Sequence, residues 1–309
     1  EVEAALNKSG IGCERHQNFT HLAPGSVTKP DGSGYTVFTP FKKRWLAHPL
    51  AEPSKPLDPP APQGPAITAQ LAPELPGSVR KDLGAALWPA GETAAQACLK
   101  DFVHHRASAY DQQRDLPWQP GTSKLSPHLA VGTVSAGQCL YAAYGANNNV
   151  LTMGNAGLDA WISELIWREF YNHILAAHPR LSMGQAFRRE TERLEWNHND
   201  EWLARWQAGE TGLPLVDAGM RQLNTTGWMH NRLRMVTSQF LAKHLFINWR
   251  EGERYFMRNL VDGDLAANNG GWQWSASTGT DAVPLSLIHI SEPTRQAEIA
   301  YAVFCLKKK

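Results

Sequence analysis

Between Pro49 and Pro76 the chain carries nine prolines, many in PxxP-like spacing. Proline fixes φ and lacks an amide hydrogen, so such a run can be neither regular helix nor central strand. It reads as a linker laid over the surface, and it sets a domain boundary within residues 46–90. Residues 1–45 are then expected to be the end of an α/β unit, with Tyr35–Phe41 (YTVFTPF) as a short β-rich segment stopped at Pro40. The chain opens on EVEAALNKSG, with no Met and no basic start followed by an apolar stretch. It is therefore read as beginning inside a longer protein, without a signal peptide.

Beyond Glu92 the pattern turns helical. A helix opens at Glu92 or Thr93 and runs through AAQACLKDFVHHRASAY. Ser126-Pro127 reads as an N-cap followed by proline at the first helical position. Ser135 can cap AGQCLYAAYG, and Gly145 can stop it. Long helical patterns follow over 157–177, 199–208, 215–226, 228–246 and 251–260, with no strand alternation between them. The fold class expected is mostly α, with an all-helical domain over 91–284. Residues 285–309 neither continue a helical period nor resemble a domain end, and they resemble the translation of a sequencing adapter.

Several function classes are excluded. No G-x-G-x-x-G, P-loop, H-E-x-x-H or G-x-S-x-G occurs. Asp262-Gly263-Asp264 fails as a calcium loop, because Ala266 and Ala267 stand where a ligand and the obligatory glycine belong. The four cysteines form no C-x-x-C pair and the twelve histidines show no ligand spacing, so no metal is expected. No run of about 18 apolar residues exists to span a membrane, and a reducing cytoplasm is expected. Net charge is +1, and −1 without residues 285–309, so a nucleic-acid surface must be local. Residues 216–258 supply such a patch, with seven basic groups against three acidic ones. Two of its arginines, Arg250 and Arg254, can pair with Glu253 and Glu251.

Two helices carry chemistry opposite their core faces. In GLDAWISELIWREFYNHIL, Leu158, Ile162, Leu165, Ile166, Phe170 and Ile174 share one arc. Trp161, Glu164, Trp167, Arg168 and Tyr171 share the other. That second arc is either a surface with a Glu164–Arg168 i,i+4 pair and packed tryptophans, or the wall of a cavity for a flat aromatic ligand. In WMHNRLRMVTSQFLAKHL, Met229, Leu233, Val236 and Phe240 form the core stripe, with Asn231, Arg234, Met235 and Ser238 opposite. Gly227 can end the preceding helix. In VDGDLAANNGGWQW, two carboxylates followed by Asn-Asn-Gly-Gly describe a tight non-helical turn where backbone approaches something closely. An N-cap at Asp264 is the simpler alternative.

The segments GTSKLSPHLAVGTVS, WISELIWREFYNHIL, TGLPLVDAGMRQLNTTGWMHNRLRM and NWREGERYFMRNLVDGDLAANNGGWQWSASTGTDAVP resemble the class I cyclobutane-pyrimidine-dimer photolyases of the photolyase/cryptochrome family. The resemblance runs from about Tyr35 to Pro284. It implies a helical FAD-binding domain preceded by the remnant of a Rossmann-like antenna domain. It also implies a carbon–carbon lyase that repairs damaged DNA by light-driven electron transfer from reduced FAD to a flipped-out pyrimidine dimer. The protein would be monomeric and cytoplasmic, on the nucleoid when bound to DNA. A second antenna chromophore, folate or deazaflavin, is implied for the whole protein; folate-binding relatives carry Lys near the position of Met183.

For FAD the resemblance implies Tyr110, Thr122, Ser123, Lys124, Leu125, Ser126, Trp161, Glu164, Arg168, Asn231, Arg234, Asp262, Asp264 and Asn268. Arg is usual at Lys124, so the charge stays and the fork geometry goes. Arg234 with Asp262 is implied to be a buried pair, and Asn268 to face the flavin's reactive edge. Trp167, Asn231, Arg232, Met235 and Trp274 are implied to contact the dimer, and Glu164 to hydrogen-bond its base edge. Trp272, Trp249 and Trp196 would relay electrons from the surface. The rivals are a light-signalling cryptochrome on the same fold and an inactive fragment. Asn268 and Trp167 favour repair: plant cryptochromes typically have Asp at the former position. Animal-type (6-4) photolyases have His at the positions of Asn231 and Met235.

Overall fold

The computed structural model describes residues 2–13, 19–57, 83 and 87–280. The proline run lies largely outside the described residues, and residues 285–309 lie outside them entirely. Twelve α-helices occur among the described residues. In chain order they are α1 (Val2–Lys8), α2 (Phe38–Leu46), α3 (Glu92–His105), α4 (Tyr110–Gln113), α5 (Ser126–Val131) and α6 (Ala136–Ala146). Then come α7 (Ala156–Ala177), α8 (Asp200–Ala208), α9 (Pro214–Thr226), α10 (Asn231–Gln239), α11 (Trp249–Asn259) and α12 (Leu265–Ser275). Strand pairing among the described residues is limited to two isolated bridges, Thr28 with Gly34 and Asn197 with Ile247. The mostly α expectation holds.

Local capping explains where the central helices begin. Asn155 accepts the Leu158 amide at the start of α7, and Ser135 forms a reciprocal capping box with Gln138 at the start of α6. Gly227 ends α9 in the left-handed region at φ 68°, as its place in the sequence implied.

Four sequence expectations are corrected. Tyr35–Phe41 is no β segment: α2 starts at Phe38 with Pro40 in its first turn, where a missing amide costs nothing. Ser126 does not cap α5. It opens the helix, and its hydroxyl accepts Trp228 Nε1 at 3.2 Å. Gly145 does not stop α6, which ends at Ala146 with Asn147 as its cap. The pattern over 228–246 breaks into α10 and a π turn at Phe240–His244.

Two buried clusters form the interior. The first joins Phe38, Phe41 and Trp45 of α2 to Phe102 of α3, Leu140 of α6 and the apolar stripe of α7. The second joins Trp206, Met220, Leu233, Trp249, Phe256 and Trp272. Residues before the proline run thus share a core with the helices after it. Glu169 clamps that junction. Its buried carboxylate accepts Trp45 Nε1 at 2.6 Å, the Leu22 amide at 3.2 Å and the His21 amide. Burial pushes its pKa up despite those donors.

His173 sits beside it, with Nδ1 accepting the Gly25 amide at 3.1 Å. Burial pulls its pKa down to about 4. A folded-state pKa below the ordinary value of about 6.5 contributes stability that is present above pH ~6.5 and lost as pH falls toward 4, by up to about 3 kcal/mol. Glu169 acts in the opposite sense: its raised pKa means stability lost as pH rises. Comparison with His173→Gln therefore isolates the histidine. Urea midpoints should fall more between about pH 7 and pH 5 in the unsubstituted chain than in the variant. Equal slopes would remove His173 as the cause.

Candidate cofactor and lesion cavity

A cavity of about 610 Å³ opens between α7, α10 and α12, closed by α4 and the chain running into α5. That volume suits a cofactor or drug-sized ligand. The polar arc of α7 faces it entirely: Trp161, Glu164, Trp167, Arg168 and Tyr171 all line the wall. Their helix must place them there, because the opposite stripe is spent on the first core cluster. From α10 come Asn231, Arg232, Arg234 and Met235. Ser238, read on the same face, bonds Ser275 at 2.7 Å instead.

The carboxylate segment departs from its sequence reading. Asn268 to Gly271 are not a turn but the interior of α12, begun by Asp264 accepting the Ala267 amide at 2.8 Å. The close approach read there is real. A Cβ on Gly270 would meet the Tyr171 ring at 2.1 Å, so α12 can lie against α7 only without a side chain.

Glu164 and Arg168 do not pair with each other. Arg114 Nη1 donates to Glu164 Oε1 at 2.6 Å. Arg168 Nη1 donates to the Phe19 carbonyl at 2.6 Å, and its Nη2 lies 3.6 Å from Asp264 Oδ2. Partners from distant segments win over the i,i+4 contact because they sit within the same half-buried wall. Burial pushes the Glu164 carboxyl up, opposed by the Arg114 charge, and lowers the pKa of Arg168, opposed by Asp264.

Arg234 and Asp262 form the expected pair. Nη2 donates to both carboxylate oxygens, at 2.7 and 3.0 Å, and Nε donates to the Met229 carbonyl at 2.8 Å. The Asp262 side chain is only 2% exposed, so this guanidinium is what keeps its charge tolerable.

Tyr110, Thr122, Ser123, Ser126 and Trp274 line the cavity, whereas Lys124 and Leu125 do not. Lys124 adopts φ 54° and holds its ammonium 6.0 Å from the Trp228 ring, and Leu125 is buried. Asn268 is also absent from the wall. Its side-chain amide donates to the Glu253 carbonyl at 3.1 Å. Trp249 and Trp272 lie buried in the second core cluster, and neither indole N–H has a hydrogen-bond partner among the described residues. Trp196 is half-buried, 4.9 Å from the Phe246 ring. Met183 is exposed on a 3-10 turn. Arg250 pairs with Glu192 rather than Glu253, whose buried carboxylate accepts from Asn269.

Sequence reasoning missed Arg114 and Asp115. Asp115 accepts Arg232 Nη2 at 2.5 Å, so the two residues tie α4 to α7 and α10 across the rim. The available signal was Arg114 one helical turn after Tyr110. No group of residues suited to hold a metal occurs among the described residues. No helix among them is long and apolar enough to cross a membrane.

The residues present fit a large, flat, polyhydroxylated cofactor such as FAD. Arg168 Nη2 and Asp264 Oδ2 are buried atoms of two cavity-lining residues; their 3.6 Å ion pair is too long for a hydrogen bond, and neither atom makes another among the described residues. This loose pair leaves hydrogen-bonding capacity on both side chains in one wall, which a ligand with complementary polar groups would complete. Three aliphatic hydroxyls and five aromatic rings, two of them tyrosines, are also in the lining.

The family described as "FAD binding domain of DNA photolyase" matches residues 161–300, and the family described as "DNA photolyase" matches residues 1–63. A deoxyribodipyrimidine photo-lyase of Escherichia coli is 47% identical over 96% of the chain and 62% of its own length. A bacterial class III photolyase structure from Agrobacterium tumefaciens superposes with TM-score 0.83 at 34% identity, covering 96% of this chain and 62% of that one. A Synechocystis cryptochrome structure follows with TM-score 0.74 at 27% identity, covering 96% of this chain and 63% of that one. The chain thus spans somewhat less than two thirds of the length of these relatives. With the lined cavity and both matched segments in one chain, it belongs to the photolyase/cryptochrome family.

Proposed function

We propose that the cavity holds FAD and that the protein is a deoxyribodipyrimidine photolyase, acting on cyclobutane pyrimidine dimers flipped out of DNA. The observation that carries this reading is one wall with two kinds of surface: the loosely paired, hydrogen-bond-deficient Arg168 and Asp264, and the Trp167 ring beside Glu164. Bound FAD, reduced and excited by light, would supply the electron that splits the dimer.

The chain's own residues position and exclude. Tyr110, Thr122, Ser123 and Ser126 offer hydroxyls at one end of the cavity. Arg168 donates to anionic oxygen, and Asp264 accepts from hydroxyls. Arg234, locked on Asp262, holds a guanidinium in the cavity wall, where it would contact a bound flavin. Trp167 stacks on Phe38 with centroids 3.6 Å apart, so it presents a rigid indole to a flipped base. Glu164, with its pKa raised, can donate a hydrogen bond to a base carbonyl when protonated or accept from a ring N–H when ionised. We assign the relay role to Trp272, Trp249 and Trp196, and dimer contacts to Asn231, Arg232, Met235 and Trp274. Lys124, Leu125 and Asn268 keep their assigned FAD contacts only if they move from their present positions. Residues 1–45 we read as the end of an antenna-binding α/β domain, and the working place as the cytoplasm, as a monomer on DNA.

The signalling alternative is weaker, since the relative at 47% identity is named a photo-lyase. The deciding experiment loads the protein with FAD and illuminates a thymine-dimer oligonucleotide with blue light. Restored thymines are expected; FAD binding with dimers left intact would transfer the reading to signalling. Trp167→Ala should weaken dimer binding in the dark by about tenfold, the order of one lost base–aromatic stack, with the flavin absorbance unchanged. DNA affinity should also fall with rising salt.

A further inference from the structure

The chain from α4 to α5 leaves one large aromatic residue unused. Arg114 and Asp115 line the cavity on one side of this loop, and Thr122 and Ser123 on the other. Between them Trp118 is 76% exposed. It makes no hydrogen bond, ring stack or cation–π contact among the described residues. A single exposed apolar residue is ordinary in itself, but tryptophan is the side chain most enriched among binding hot spots, and this one stands beside the cavity.

The loop holding it is stiff. Pro117 and Pro120 flank Trp118 and Gln119. The Leu116 amide donates to the Gln113 carbonyl and the Gln119 amide to the Leu116 carbonyl, each at 3.0 Å. Arg106 Nη1 reaches the Pro120 and Thr122 carbonyls at 3.3 and 2.9 Å. The indole is therefore presented on a fixed support, which lowers the ordering cost of binding. Three Cα–Cα steps of about 3.8 Å separate Asp115 from Trp118, so Trp118 stands within about 11 Å of the cavity wall.

We infer that Trp118 is a base-stacking contact at the cavity rim, taking an unpaired nucleobase of the DNA beside the flipped dinucleotide. This rests on the proposed reading of the cavity as a lesion site. Flipping costs a few kcal/mol of stacking and pairing and leaves neighbouring bases with an open π-face. An exposed indole recovers part of that loss whatever the base, since every base has such a face. Arg114 and Arg232 stand at the same rim, each paired with a carboxylate, Glu164 and Asp115, so stacking rather than net charge is what Trp118 adds there.

The experiment measures dark binding of a thymine-dimer oligonucleotide by the FAD-loaded protein and its Trp118→Ala and Trp118→Phe variants. Light-driven repair is followed at saturating DNA. Trp118→Ala is expected to raise Kd about five- to tenfold, with flavin spectrum and saturated repair rate unchanged. Trp118→Phe should retain most of the affinity. Equal Kd for Trp118→Ala and the unsubstituted protein overturns the inference while leaving repair intact. So does a change confined to self-association in sedimentation, which would make a second copy the occupant. If the unsubstituted protein binds no dimer DNA at all, the lesion-site reading fails first and this inference with it.

Discussion

Arg234→Met is expected to cost about 3–5 kcal/mol of stability and to abolish FAD binding, because it strands Asp262 as a buried, unpaired carboxylate. Methionine approximates the length of the arginine stem, so lost packing contributes little. The guanidinium satisfies both Asp262 oxygens and the Met229 carbonyl, and the variant leaves all three without those donors. Urea denaturation measures the loss. The second arm of the test is Arg234→Met combined with Asp262→Asn. Removing the stranded charge should restore much of the stability, so the two substitutions are non-additive. FAD binding should not return with it, because the fixed positive charge is still missing. A single variant as stable as the parent would show that the pair contributes nothing.

Gly252→Ala is expected to destabilise the second core by about 1–3 kcal/mol, although alanine is the better helix former. A Cβ at this position on α11 would lie 2.0 Å from Trp272 Cη2 and 2.5 Å from Cζ3. The Trp272 ring cannot retreat freely, because Phe256 and Trp206 hold it at 5.0 and 5.9 Å. Displacing it should also slow light-driven reduction of bound, oxidised flavin, the readout that an effect on stability alone would leave unchanged. The measurement is a thermal melt alongside flavin bleaching under blue light with an external thiol. An unchanged melting temperature would mean that the indole swings aside without strain.

Much of the fold was legible because helix periodicity is local. The stripe from Leu158 to Ile174 is buried, and its opposite arc lines the cavity as one wall. The long helical patterns from residue 157 on each contain a helix, with 228–246 broken into α10 and a π turn. The errors came where local rules compete. Asn268 to Gly271 look like a turn by propensity, yet the Asp264 cap starts a helix and the contact with Tyr171 requires Gly270 within it. YTVFTPF looks like a strand by composition, yet Phe38, Phe41 and Trp45 gain more by facing α7 at helical spacing. Glu164 and Arg168 look like a pair by spacing, yet Arg114 and Asp264 reach them from other segments.

The helical class, the two-faced character of α7 and α10, and the residue types that suit a flavin and a base are all written in the linear chain. These follow from the order of side chains along one helix and from motifs that stay intact in the chain. The folded arrangement alone sets which charges meet. It paired Arg114 with Glu164, Arg232 with Asp115 and Arg168 with Asp264, and it turned Asn268 away from the cavity. Ion pairs and cavities depend on distances between segments far apart in the chain, and neither propensity nor spacing encodes those distances.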